Sequence, residues 1–123
     1  MITTVLFDYS GVLAEEGFRA GLLAIARNNG LDPEAFYHTV CRIIADAGYL
    51  TGDIDEAAFW ARLRREYGLA RPDAELRREI LNRFALRPSM LDMAARLRRS
   101  GMRVGILSDH TNWLDELDRR DGF

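Results

Sequence analysis

Residues 7–13 read Phe7-Asp8-Tyr9-Ser10-Gly11-Val12-Leu13, directly after the β-branched and apolar run Ile2–Phe7. A short apolar run that ends in a small-residue turn predicts a buried strand. Asp8 then stands at the strand's carboxyl end, where open α/β sheets bind their ligands. The small residues that follow are expected to leave backbone N–H groups free as an anion-holding concavity. A second run of this kind, Val104-Gly105-Ile106-Leu107, ends at Ser108 and Asp109. It predicts a second buried strand, with the Ser108 hydroxyl aimed at the same ligand and a helix starting there to add its positive dipole end. A carboxylate, an anion nest and a hydroxyl on neighbouring strand ends suit phosphoryl transfer to an aspartate.

Between the two runs the pattern is helical. Phe18, Leu22, Ile25 and Ala26 form one stripe, stopped at Gly30. Asp32 and Pro33 look like an N-cap and a first-turn proline, ahead of Phe36, Val40, Ile43, Ile44 and Ala47. Asp53 with Glu56 resembles a capping box before Phe59, Trp60, Leu63 and Tyr67. A shorter helix after Pro72 carries Leu76, Ile80 and Phe84, and Pro88 opens another through Met90, Ala94 and Leu97, stopping at Ser100 and Gly101. From about His110 the chain reads as helix again, with Asp115 and Arg119 spaced as an ion pair. A helix joining two buried strands predicts an α/β fold with a parallel sheet. The block from about Phe18 to Phe84 is too long for a simple crossover and reads as an inserted cap.

At this point a family resemblance is plain. Asp8-Tyr9-Ser10-Gly11-Val12-Leu13 and Gly105-Ile106-Leu107-Ser108-Asp109 resemble the first two motifs of the haloacid dehalogenase-like (HAD-like) hydrolases, in the branch with a helical cap after the first strand. Arg87-Pro88 through Gly101 resembles the family's helix into the second strand, and Gly52-Asp53-Ile54 with Phe59-Trp60 the cap of phosphatase-like members. The resemblance implies a HAD-like Rossmannoid parallel sheet, incomplete here, with residues 1–17 and 86–123 as core and 18–85 as cap. It implies Asp8 as the nucleophile that becomes an aspartyl phosphate, and Ser10 at the position of the general acid and base. Mg2+ would be held by Asp8 and the Ser10 carbonyl, and phosphate by Ser10, Gly11, Ser108 and Asp109. The expected activity is a magnesium-dependent phosphatase of a small phosphorylated metabolite. Carbon–halogen hydrolysis and a non-catalytic interaction module are the alternatives.

Two departures matter. Phosphatase members usually carry a second aspartate two residues after the nucleophile, and dehalogenating members a tyrosine; this chain has Ser10 there and Tyr9 one residue early. A hydroxyl is a poor proton carrier near neutral pH, and losing a positioned acid–base group costs ~10²–10⁴-fold in rate. The family's third motif is a lysine, occasionally an arginine, and its fourth an acidic pair. All 17 basic residues here are arginine, and Asp115, Glu116, Asp118 and Asp121 read as an exposed helix face. The chain is therefore read as the N-terminal half of the fold, inactive alone, with an open sheet edge suited to homo-oligomer pairing.

Composition bounds the rest. The 123 residues, 48% of them hydrophobic and 29% charged, suit one globular domain. A net charge of −2 gives no nucleic-acid footprint. No apolar run is long enough for a membrane span, no basic stretch leads into an apolar one as a secretory signal would, and the single Cys41 cannot form an internal disulfide, so the cytoplasm is the expected compartment. Cys41, His38, Phe59 and Trp60 read as structural, Arg62, Arg64 and Arg65 as a solvated face, and His110 as the start of a surface helix.

Overall fold

A computed structural model describes residues 1–123. Two four-residue strands, β1 (Thr4–Phe7) and β2 (Arg103–Ile106), pair in parallel, with Thr4 opposite Arg103 and Phe7 opposite Ile106. Five helices lie between them: α1 (Phe18–Asn28), α2 (Pro33–Ala47), α3 (Glu56–Tyr67), α4 (Asp73–Leu81) and α5 (Pro88–Arg99). After β2 comes α6 (Trp113–Asp121). The chain is thus α/β, with the element order expected from its periodicities. No helix is long and apolar enough to cross a membrane.

The strands are not buried as expected. Successive strand side chains point to opposite faces. Phe7 enters the core, whereas Leu6 is 57% exposed, and Leu107, just past β2, is 71% exposed. A sheet of two strands needs a layer on each face to bury both sets of side chains, and here only one face has it. Ile2, expected within β1, lies before it and is exposed.

Local signals account for most helix boundaries. Asp32 caps α2 by accepting the Ala35 N–H at 3.0 Å, and Pro33 occupies the first turn. Gly48 ends α2 in the left-handed region (φ 78°), which an L side chain rarely adopts. The cap of α3 is Asp55, which accepts the Ala58 N–H at 2.8 Å. Asp53, the expected cap, instead accepts the Thr51 hydroxyl in the preceding turn. Glu56 reaches sideways, accepting Trp60 Nε1–H and Asn112 Nδ2–H rather than closing a capping box. The α5 stripe of Met90, Ala94 and Leu97 packs half-buried beside β2.

One apolar core joins these elements. It contains Phe7, Tyr9 and Leu13 from the first strand and its loop, Leu22, Val40, Phe59, Trp60 and Ile80 from the helices, and Trp113 and Leu117 from α6. Gly21 allows α1 to meet α4 closely: a Cβ there would stand 2.7 Å from Ile80 Cα. In α6, Arg119 pairs with Glu116 at 2.8 Å and not with Asp115, while Arg120 donates to the carbonyls of Leu81 and Phe84. Asp121 and Glu116 are thereby engaged in ion pairs rather than forming a free acidic face.

The two aspartates before α3 separate cleanly by experiment. Asp55→Ala is expected to lower the unfolding free energy by about 1 kcal/mol, the usual worth of an N-cap, and Asp53→Ala by only a few tenths. Urea denaturation of both variants measures this, and equal losses would contradict the cap assignment.

Candidate active site

Asp8 emerges from β1 on the exposed carboxyl edge of the sheet. Its Oδ1 accepts the Tyr9 N–H at 2.7 Å, a neighbour bond that orients the carboxylate and leaves Oδ2 free. The chain then turns tightly. The Tyr9 carbonyl collects the N–H groups of Val12, Leu13 and Ala14, and the Gly11 N–H donates to the Ala14 carbonyl at 2.8 Å. Gly11 sits at φ 76°, as this turn requires. The expected nest is consequently smaller than its sequence suggests: the Gly11 and Val12 amides are spent inside the turn. Ser10 keeps both its N–H and its C=O free of backbone partners. Arg87 braces the turn from behind, with Nη1 donating to the Gly11 carbonyl at 2.6 Å and two nitrogens to Glu15.

The parallel register carries Ser108 to the same edge as Asp8. Ser108 is half-buried and its hydroxyl makes no hydrogen bond within the chain; Asp109 is exposed. No helix starts there. The next one begins at Trp113, so neither residue is its cap and no dipole end faces Ser108. The intervening residues instead place His110, whose Nε2 lies 3.1 Å from Ser10 Oγ. Its ring stands edge-on to Tyr9 and Phe84, at centroid distances of 5.7 and 5.5 Å. Burial holds the imidazole below its ordinary pKa, against a smaller upward pull from Asp8.

A cleft of about 300 Å³ opens between these loops and the helices. Ser10, Asp109, His110 and Thr111 line one side; Phe18, Cys41, Ile44, Leu50 and Trp113 line the other, with Glu16 at the edge. Glu16 also closes the start of α1, accepting the Phe18 and Arg19 amides. No arginine reaches the cleft. Nowhere do three His, Cys, Asp or Glu side chains come together as a metal cage. The Asp8 carboxylate and the free Ser10 carbonyl do suit Mg2+, an ion that commonly keeps several waters and takes one or two carboxylates plus substrate phosphate.

Of the residues singled out from sequence, Ser10 and Asp109 meet in the cleft, with Asp8 beside His110 and Ser108 on the shared sheet edge. Gly11 serves the turn. His110, whose neighbours suggest a site but which reads first as the start of a surface helix, lies before that helix and is brought to Ser10 by the fold. Cys41, expected in the core, is half-buried in the cleft wall. Phe59 and Trp60 are fully buried as expected, and His38 is exposed beside Glu34. Comparison with protein-family models gives no match, and a search of curated proteins gives none either.

The depressed pKa of His110 has a fixed sign in stability. The fold favours the neutral ring, so its contribution is complete above 6.5 and is lost as pH falls toward the lowered value. Unfolding free energies measured by urea at stepped pH should fall more steeply below 6.5 for the parent chain than for His110→Gln. Parallel curves for the two proteins would contradict this.

Proposed function

We propose that the chain belongs to a HAD-like hydrolase that cleaves small phosphomonoesters with Mg2+, using Asp8 as nucleophile. The observation that carries the reading is Asp8 itself. It is an exposed carboxylate on the ligand-binding edge of a parallel sheet, with one oxygen anchored by the Tyr9 amide and one free, beside a Ser10 whose backbone groups are unspent. In this mechanism Asp8 Oδ2 bonds to phosphorus as the ester P–O bond breaks, and the leaving oxygen takes a proton from water. A second water then attacks phosphorus, the Asp8 oxygen–phosphorus bond breaks, and inorganic phosphate leaves with the carboxylate restored. The free Ser10 amide and the Ser108 hydroxyl are the donors for the phosphoryl oxygens. When bound, Mg2+ supplies charge neutralisation between the phosphate and Asp8. Ser10 and His110, bonded to each other at the cleft mouth, orient the ester oxygen.

Carbon–halogen hydrolysis by the same nucleophile is favoured by one feature: a largely apolar cleft that no cationic side chain enters. A neutral alkyl halide needs no such cation. The two readings part on metal dependence.

Beryllofluoride, a phosphoryl mimic that adds to carboxylate oxygen, tests the leading reading without turnover. With Mg2+ present, one 19F signal from bound beryllofluoride is expected, lost in Asp8→Asn and lost on chelation. No adduct, or one that survives Asp8→Asn, would overturn the reading.

Turnover by these 123 residues alone is expected to stay at background. The cleft beside Ser10 carries the Asp109 and Glu16 carboxylates, and no lysine exists in the chain to offset their charge or that of an aryl phosphate dianion. Each missing charge partner is worth several kcal/mol of transition-state stabilisation, so the loss amounts to many decades. Magnesium-dependent hydrolysis of 4-nitrophenyl phosphate, abolished by Asp8→Asn, would refute this.

A further inference from the structure

We infer that the cleft beside Ser10 is a specificity pocket for a compact, uncharged apolar group on the substrate, aliphatic or aromatic, and not for a polyhydroxylated one. The inference rests on the Asp8 reading only for where the reacting end lies; the pocket's chemistry stands on its walls.

Phe18, Cys41, Ile44, Leu50 and Trp113 make a wall drawn from α1, α2, the turn after α2 and α6. Burying an apolar group against it is favourable in proportion to the area removed from water. A sugar-like group placed there would instead lose hydrogen bonds to water, and each hydroxyl would need a partner. Few are to be had. Ser10 and His110 are bonded to each other, Glu16 holds the α1 amides, and the Thr111 hydroxyl accepts the Trp113 N–H. What remains is the Asp109 carboxylate at the mouth and the Thr111 O–H, which is still free to donate; Trp113 Nε1 has no partner but is sealed from the cleft. One carboxylate and one hydroxyl can hold a polar group at the mouth; they cannot satisfy a ring of hydroxyls set against the apolar wall.

Size narrows the class further. A volume of about 300 Å³ is at the small end of ligand clefts, which run from roughly 300 to 1,000 Å³. It suits one ring or a short branched chain. Net charge in the wall is absent on the helix side, since Cys41 and four apolar residues form it.

Cys41 provides a readout that needs no turnover, because it is the chain's single cysteine and lies in this wall. Its alkylation rate by iodoacetamide is measured with Mg2+ and, in turn, benzylphosphonate, benzyl alcohol or glucose 6-phosphate. Benzylphosphonate is expected to slow alkylation several-fold, benzyl alcohol to slow it at higher concentration, and glucose 6-phosphate to leave it unchanged. Leu50→Asp is expected to abolish the protection; Leu50 is 44% exposed, so the fold tolerates the charge, and circular dichroism verifies that. Protection by glucose 6-phosphate equal to that by benzylphosphonate, or protection that survives Leu50→Asp, would overturn the inference. Equal protection by benzyl alcohol and benzylphosphonate would support the pocket and count against Asp8 as the phosphoryl site.

Discussion

The packing of Trp113 is the contact on which the arrangement turns. Its fully buried indole meets Phe18, Tyr49, Phe59 and Trp60 at centroid distances of 5.9–6.2 Å, so a residue following the second strand is embedded among aromatics of the helical block. Aromatic pairs at such distances add about 0.5–1.5 kcal/mol each beyond the area they bury. Polar bonds then fix the orientation. Tyr49 donates its hydroxyl hydrogen to Asn112, Asn112 and Trp60 both donate to Glu56, and Arg77 ties Glu56 to Glu116. A residue three positions before Trp113 inherits this rigidity. That residue is His110, and its distance to Ser10 follows from where the indole is seated.

Without that seat the sheet would have little to hold it. Two parallel strands of four residues, with Leu6 exposed on one face, fall well short of the three or more strands that give independent stability. The strands are held in register by what lies at their ends: Tyr9 packed on Phe84 and Phe123, Arg87 bonded to the Gly11 carbonyl, and α6 anchored by Arg120 on the carbonyls of Leu81 and Phe84. The site's geometry is thus governed by the helices more than by the sheet that carries Asp8.

This division explains what could be read from the chain and what could not. Features decided within a few residues were legible: Asp32-Pro33 opening α2, Pro88 opening α5, and the apolar runs of both strands. Asp8 at a strand end was legible for the same reason. Features decided between distant segments were not. Asp55 outcompetes Asp53 as the α3 cap because Asp53 is occupied by Thr51, a matter of turn geometry. The strand residues looked buried because apolar runs usually are, yet Leu6 has no covering layer. Residues 108–112 resembled a helix start, but the segment stays irregular until α6 begins at Trp113, and it is this delay that brings His110 to Ser10.

Glu16 and Asp109 carry negative charge into the cleft, Asp8 stands exposed on the neighbouring sheet edge, and no arginine enters although the chain has 17. Arginine's absence has a physical cause: the nearby guanidiniums are committed elsewhere, Arg87 to Glu15 and the Gly11 carbonyl, Arg19 to Glu34 and the Tyr37 ring. A planar fork so engaged is pre-organised and not readily recruited. The Glu16 charge is partly offset by the α1 amides it accepts and that of Asp8 by the Tyr9 amide, whereas Asp109 accepts no such hydrogen bond. The cleft therefore offers no side-chain cation to an anionic group, while a neutral group needs none. That electrostatic condition follows from where the arginines are tied down.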